Sequence, residues 1–522
     1  MTKFYVTTAI DYVNAAPHIG HAYQKIVADV LARWHKLKGD EVFFVTGTDE
    51  HGKKVQRAAK AAGKPTQKFV DETVIKFKEA WKSLNILPDR FIRTTDEDHK
   101  KVVKKFIEEC DKTGNIYLGE YEGYYCTDCE AYYTEKDAPD FICPVHKKKL
   151  EKLKEKSYFF KLSEYKEFLL DLYKEHPEFI LPKSRRNEVI SRVKEGLQDL
   201  SISRTSFDWG IPFPLDKKHV TYVWFDALIN YYTATRKKGK EKFWPADVHL
   251  LGKDNSWFHC VYWPAMLKSV GIKLPKTVFV HGFLKFNGQK ISKSLGNVIS
   301  PKTLVEKYSA DTVRYFCLRH FPFGEDGDFD EKALVARYNN ELANKLGNLV
   351  SRVSGLIEKY GVEKTENKIK LEERLKKVIE EGETELRTNE EGCLCIFRKH
   401  KGARKGRISK VIQTDFFSEH PTSWLEAIEL FVNKDVKAYQ FDKALNKIFA
   451  FIDHCNWFVQ IRKLWETDCE NREKNLDRLR ISILKIAELL SPFIPESAEK
   501  IKKQFSVKKI KKSKILFEKI KV

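Results

Sequence analysis

The stretch APHIGHAY (residues 15–22) sets His18 and His21 three residues apart around Gly20. Residues so spaced share one face of a helix, so both imidazoles can aim hydrogen bonds at one anion. A helix N-terminus adds unpaired N–H groups and the positive end of its dipole, which suits phosphate. Gly20 would let a large group approach the backbone closely. By itself the stretch reads equally well as a pair of capping or core histidines. A second group, NGQKISKSLGN (287–297), carries Lys290, Ser292, Lys293 and Ser294 in a glycine-bordered loop. Standing alone it is a solvated basic loop. Placed after a sheet strand it predicts a phosphate clamp, whose ammoniums neutralise charge as a leaving pyrophosphate forms.

A third group is self-contained. CTDCEAYYTEKDAPDFICPVH places Cys126 and Cys129 two residues apart, then Cys143 and His146 two residues apart. Two such pincers match tetrahedral ligation of zinc by sulfur and nitrogen. Four protein ligands leave no open position, so the spacing predicts one structural Zn(2+) per chain rather than a catalytic metal.

The elements that must position these groups follow from periodicity. Residues 4–10 read as a buried strand, 18–39 as an amphipathic helix ending at Gly39, and 41–47 as a second strand. Helical patterns follow through 114, and strands recur at 248–252 and 276–284. Such alternation predicts an α/β fold with a parallel sheet of Rossmann type. From about 116 the pattern changes to short aromatic strands and the cysteine-bearing loop, an insertion that splits the sheet. Beyond 330 the chain reads as a helical bundle. The expected domains are 1–115 and 221–330 for the two sheet halves, 116–220 for the zinc-bearing insertion, and 331–522 for the bundle. The basic, glycine-broken segment 391–410 has no helical period and is expected as a surface insertion or disordered loop.

Bulk composition narrows the partners. Lys and Arg number 95 against 74 Asp and Glu, a formal net charge of +21 over 522 residues. That excess points first to nucleic acid; a general lysine bias in composition accounts for it equally well. No apolar run of about 18 residues exists to span a membrane, and MTKFYVTTAI lacks the features of an export leader. Ten cysteines in so long a chain do not make a disulfide scaffold, which predicts a reducing, cytoplasmic setting.

The pair HIGH and KISKS, each just after a strand of one sheet, resembles the paired signature of class I aminoacyl-tRNA synthetases. TGTDEHG (46–52), YVWFDALINY (222–231), GKDNSWFHCVYWPAML (252–267) and GNLVSR (347–352) resemble the methionyl-tRNA synthetase family in particular. The likeness covers the chain apart from roughly 365–425. It implies that His18, His21, Lys290 and Lys293 are catalytic, and that ATP, with Mg(2+), is bound by His18, Gly20, His21, Gly252, Asp254, Lys290, Ser292 and Lys293. It implies a methionine pocket of Ile10, Tyr12, Asp49, Trp224, Ala227, Leu228, Tyr231, Phe258, His259 and Trp263. One carboxylate for the α-ammonium and an aromatic wall for a thioether suit that ligand. In the bundle it implies anticodon reading by Asn348, Arg352 and Trp465, with Trp457 the alternative one register away; aromatic stacking of splayed bases is how RNA loops are read. Three positions depart from the pattern: Asn255 replaces an aliphatic residue, and Leu228 and Leu464 replace prolines.

The implied reaction is a methionine–tRNA ligase's: L-methionine and ATP give methionyl-adenylate and pyrophosphate, and the acyl group moves to the 3′-terminal adenosine of tRNA(Met). A synthetase for cysteine or leucine would share both signatures. A small nucleotidylyltransferase would need neither the zinc knuckle nor the helical third, and intact histidines and lysines speak against a silent tRNA-binding paralogue. No membrane partner is expected, and the lack of an appended dimerisation domain favours a monomer.

Overall fold

The computed structural model describes residues 2–126, 131–133, 138–144, 147–286, 288–290, 299–363, 373–381, 384–388, 394–399, 408–413, 421–466 and 471–521. The chain divides into two compact units: Met1–Phe283 with Ser292–Lys302, and Leu284–Ile291 with Thr303–Val522.

The first unit is built on a parallel sheet. Its strands are β1 (Lys3–Thr8), β2 (Asp11–Tyr12), β3 (Glu41–Asp49), β4 (Arg90–Arg93), β5 (Ile180–Leu181), β6 (Val248–Gly252) and β7 (Val278–His281). In space they run β4, β3, β1, β6, β7, β5, with β2 extending the β1 side of β3, and every pairing is parallel. All of β6 and β7, and all but the first residue of β1 and β3, are buried. Strands covered on both faces read as continuous apolar runs, which is why they were legible in the sequence. Because the strands are parallel, Thr8, Asp49, Gly252 and His281 all end at one edge. The sheet order reverses between β1 and β6, the point where such sheets bind ligands.

Helix α1 (Ile19–Leu37) leaves that edge after β2. It is anchored by a buried ion pair: Lys25 Nζ donates to Asp11 Oδ1 at 2.6 Å and to Ala9 O at 3.1 Å. Burial pushes the Asp11 carboxyl up and the Lys25 ammonium down, each opposed by the other's charge.

The same unit carries a four-stranded antiparallel sheet. Ile116–Cys126 pairs along its length with Glu151–Phe160, flanked by Ala131–Tyr133 and Leu200–Ser201. At its far end Cys126 and Cys143 are buried in a small cluster with Ala138 and Leu150. Cys129 and His146 lie outside the described residues.

The second unit is mainly helical. Its helices include Ala310–His320, α3 (Asn348–Tyr360), Pro421–Lys437, α4 (Phe441–Ile461), α5 (Arg472–Leu490) and α6 (Pro495–Ser506). The buried Arg314 guanidinium donates to Pro492 O at 2.7 Å and Phe493 O at 2.9 Å, satisfying carbonyls past the end of α5. Of the two expectations for 391–410, the disordered loop is corrected. Thr384–Thr388, Leu394–Lys399 and Ile408–Gln413 form an antiparallel three-stranded sheet. Leu394, Cys395 and Ile396 are buried, and Leu394 N donates to His454 Nδ1 on α4 at 3.2 Å. The apolar run Leu394–Phe397 is too short, within basic and glycine-broken flanks, for periodicity alone to mark it as a strand.

Candidate functional sites

The HIGH segment is a capping structure. His18 is extended (φ −127°, ψ 173°) and caps α1: Gly20 N donates to His18 Nδ1 at 3.1 Å, and His18 N donates to His21 Nδ1 at 3.2 Å. This is a capping box with imidazoles in place of the usual hydroxyl and carboxylate. The rings lie 3.8 Å apart between centroids, 31° off parallel. Since both Nδ1 atoms accept from the backbone, each ring carries its proton on Nε2, where it can donate outward. Gly20 is needed because a Cβ there would sit 2.9 Å from His18 Cε1; the group that comes close is the neighbouring imidazole. Ile19 N donates to Ile299 O at 3.0 Å, so the chain leaving the KISKS segment returns to the start of α1. The backbone of Lys290 pairs with Lys285 in a short hairpin; its side chain, with all of Ser292 and Lys293, lies outside the described residues.

Next to this edge stands an aromatic pocket. Trp224, on helix α2 (Val223–Ala227), stacks on Phe258 with centroids 3.7 Å apart and planes 4° off parallel. Tyr12 meets the Trp224 ring edge-on at 6.3 Å. Phe258 and His259 open a π-helical turn, Phe258–Tyr262, of the kind that recurs at functional sites. Tyr231 Oη lies 2.7 Å from His259 Nε2, and His259 Nδ1 lies 2.9 Å from Asn255 O. A carbonyl can only accept, so Nδ1 holds the imidazole proton and Nε2 accepts from the Tyr231 hydroxyl. Burial pushes His259 down to about 4 and raises the Tyr231 phenol, so both are neutral. The contact that residue 255 makes with His259 is thus through its backbone carbonyl. Trp263, Ala227 and Leu228 are buried behind these rings, and Ile10 is half-buried. Leu228 N donates to Trp224 O at 3.2 Å, a bond that a proline would lack. Asp49, the last residue of β3, is buried opposite Tyr12 in the β2–β3 register. Gly252 ends β6 with Asp254 just beyond; a Cβ on Gly252 would meet Asp254 Oδ1 at 2.8 Å.

Several residues that hold this site were not singled out from sequence. Asp226, on α2 between Trp224 and Ala227, sits between two buried histidines: Oδ2 is 2.6 Å from His51 Nδ1 and Oδ1 is 2.7 Å from His99 Nε2. Burial would raise its carboxyl, but the charge and hydrogen bonds of His51 and His99 hold it below the usual carboxylate range. Glu50, beside Asp49, takes a bidentate pair from Arg93 at 2.7 and 2.8 Å. Trp209 Nε1 donates to Glu50 O at 2.6 Å. His281 ends β7, buried, donating through Nδ1 to Gly282 O at 2.7 Å. The clues were present in DEHG and WFDAL, but a polar residue among aromatics carries no periodic signal of its partner.

The helical unit has a separate groove of about 560 Å³ lined by Ser351, Arg352, Leu356, Gln460 and Trp465 among others. The Arg352 guanidinium lies 5.8 Å from the Trp465 ring centroid, and its Nη2 donates to Gln460 Oε1 at 3.3 Å. Trp465 is 40% exposed, and Tyr360 Oη donates to its carbonyl at 3.2 Å. Asn348, one turn before Arg352, is exposed and donates to Asn344 O at 2.7 Å. Trp457 instead stacks on the buried His454, centroids 5.2 Å apart, so Trp465 is the ring that shares a groove with Arg352. Leu464 is fully buried beneath it.

Among the described residues no helix is long and apolar enough to cross a membrane, and no three His, Cys, Asp or Glu side chains converge as a metal set. The family model described as tRNA synthetases class I (M) matches residues 4–152 and 137–354, and that of the anticodon-binding domain of tRNA ligase matches 424–521. The chain is 41% identical to the methionine–tRNA ligase of Thermotoga maritima over 97% of its own length and 75% of that protein's. It is 51% identical to that of Caldanaerobacter subterraneus subsp. tengcongensis over 68% of this chain and 57% of the other. The structure of Mycobacterium tuberculosis methionyl-tRNA synthetase in complex with methionyl-adenylate superposes with a TM-score of 0.81 at 37% identity, covering 96% of this chain and 93% of that one. This chain belongs to the methionine–tRNA ligase family of class I aminoacyl-tRNA synthetases.

Proposed function

We propose that the chain activates L-methionine with ATP and transfers it to the terminal adenosine of tRNA(Met). A methionine carboxylate oxygen attacks the α-phosphorus, the bond to the β-phosphate bridging oxygen breaks, and pyrophosphate leaves. A ribose hydroxyl of the tRNA terminus then attacks the methionyl carbonyl, and AMP departs. No protein nucleophile is required, so positioning and charge stabilisation carry the rate.

The observation that carries this reading is the neutral Tyr231–His259 pair beside the Trp224–Phe258 stack. An uncharged, buried, aromatic wall accepts a thioether and penalises a charged side chain. Asp49 answers the α-ammonium. His18 and His21 donate through Nε2 to the phosphates, with Gly252 and Asp254 at the nucleotide and Lys290, Ser292 and Lys293 on the pyrophosphate. Mg(2+) arrives with ATP and offsets its phosphate charge. Asn348, Arg352 and Trp465 read the anticodon.

Cys126 and Cys143 are buried soft donors in one small cluster, which fits a zinc site completed by Cys129 and His146; the metal would hold the knuckle of the insertion. The domain scheme in this reading is sheet halves 1–115 and 221–330, an insertion 116–220 that lends β5 to the sheet, and an anticodon-binding bundle 331–522, with residues 303–330 grouped in the bundle's compact unit. The cytosol suits the reaction, and a monomer is the working unit of this reading.

Amino-acid-dependent pyrophosphate exchange with a panel of amino acids is the direct test. Exchange supported by methionine and not by leucine or cysteine is the expected result; exchange with another amino acid at equal efficiency overturns the assignment.

A further inference from the structure

Helix α6 and the segment that follows it enclose a second groove of the helical unit, of about 740 Å³, with Val350 of α3 on its wall. We propose that this groove holds the phosphate backbone of the RNA whose loop meets Trp465, an inference that rests on the tRNA reading above. Lys500, Lys503, Lys509, Lys511, Lys512 and Lys514 line it, all exposed. Among the described residues no acidic side chain lines it, and of the six lysines only Lys503 is held in an ion pair, with Glu499 at 3.4 Å. Six ammoniums around one concavity repel one another, and a polyanion relieves that repulsion.

The lysines do not belong to a loose tail. Ile510 and Phe517 are buried, at 5% and 7% exposure. Gln504 Nε2 donates to Lys511 O, Lys512 N donates to Glu358 Oε2 at 3.1 Å, and Ser513 N donates to Ser354 Oγ at 3.0 Å. The backbone is pinned to α3 and α6 while the ammoniums face out.

Lys512 lines this groove and the Arg352–Trp465 groove alike, so the two adjoin at that residue. That adjacency favours RNA over an acidic peptide or a lipid surface. Lysine offers point charges suited to phosphate oxygens rather than a planar fork that reads base edges. The groove therefore contributes affinity without sequence preference.

The test uses the full chain carrying Lys509→Ala, Lys511→Ala and Lys514→Ala together, with the Lys→Arg triple as its charge-preserving counterpart. Binding of tRNA(Met) and of a non-cognate tRNA is measured from roughly 50 to 300 mM salt, where each phosphate contact contributes about 0.7–0.9 to the log–log slope. The alanine triple is expected to weaken both tRNAs about tenfold or more and to flatten the slope by about two. The arginine triple should keep the slope, and pyrophosphate exchange and thermal midpoint should match the parent in both. Unchanged tRNA affinity and slope overturn the proposal. Failure of the parent chain to exchange pyrophosphate with methionine would strike the functional reading instead, a separate result.

Discussion

Asp226 Oδ2 lies 2.6 Å from His51 Nδ1, joining the helix that carries Trp224 to the segment after Asp49. The same carboxylate reaches His99 at 2.7 Å, so one buried group ties the Trp224 helix to the segment after β3 and to the helix that carries His99. In Asp226→Asn one amide oxygen must replace two acceptors, leaving one imidazole facing an N–H. Each lost charge-assisted bond is worth about 1.5–3 kcal/mol. We expect a lower urea midpoint and a rise of about tenfold in KM for methionine, the counterpart of roughly 1.4 kcal/mol of lost positioning. A variant with parental KM and stability would show the bridge to be idle.

In the proposed reaction the HIGH imidazoles act on the phosphates and not on the amino acid. His21→Ala should slow methionine-dependent pyrophosphate exchange by about 10²–10³, the usual effect of removing one preorganised donor. Equilibrium binding of methionine, followed by tryptophan fluorescence without ATP, should stay within about twofold, because a group that contacts only the phosphates adds nothing to ground-state binding of the amino acid. Equal losses in both measurements would place His21 in the pocket instead.

Burial holds His259 and His281 each at about 4 against the ordinary value of 6.5. Between those values the unfolded chain binds protons that the folded chain refuses. Stability therefore falls as pH drops below about 6.5 and is unaffected by these groups above it, at up to ~3 kcal/mol each by pH 4. His281→Gln should show a shallower loss of unfolding free energy from pH 6.5 to 4.5 than the parent. Parallel curves would mean that His281 is protonated in the native state.

In the proposed reading Trp465 serves recognition and Trp457 packing. Trp465→Ala removes an exposed ring beside Arg352 and should raise the KM for tRNA by the worth of one stacked base, about 1–3 kcal/mol or five- to 150-fold. Pyrophosphate exchange should be unchanged. Trp457→Ala strips the His454 contact and should lower the thermal midpoint more than it alters tRNA affinity. The reverse pattern would exchange their roles.

A zinc site requires stoichiometry. Metal analysis of the purified chain should return one zinc, lost in Cys126→Ser together with part of the thermal stability. A zinc-free parent of full stability would remove the metal from the account.

The sheet and the two signature segments were legible because buried parallel strands leave unbroken apolar runs, and because histidine pairs and lysine clusters are rare enough to notice. The pocket was legible only through resemblance: nothing in the spacing of Trp224, Phe258 and His259 says that two stack while the third meets a tyrosine. Asp226, His51 and His99 were invisible, since three residues separated by up to 175 positions meet only after folding. Gly20 was noticed for the right reason, a close approach, but the group that approaches is its neighbour's ring.

The capping box at His18 and His21 has one further consequence. Each Nδ1 lone pair is engaged by a backbone N–H, so both rings are held in one orientation by the same bonds that close the first turn of α1. Rigidity of the turn and aim of the imidazoles are therefore one property, and a change that loosens the one misdirects the other.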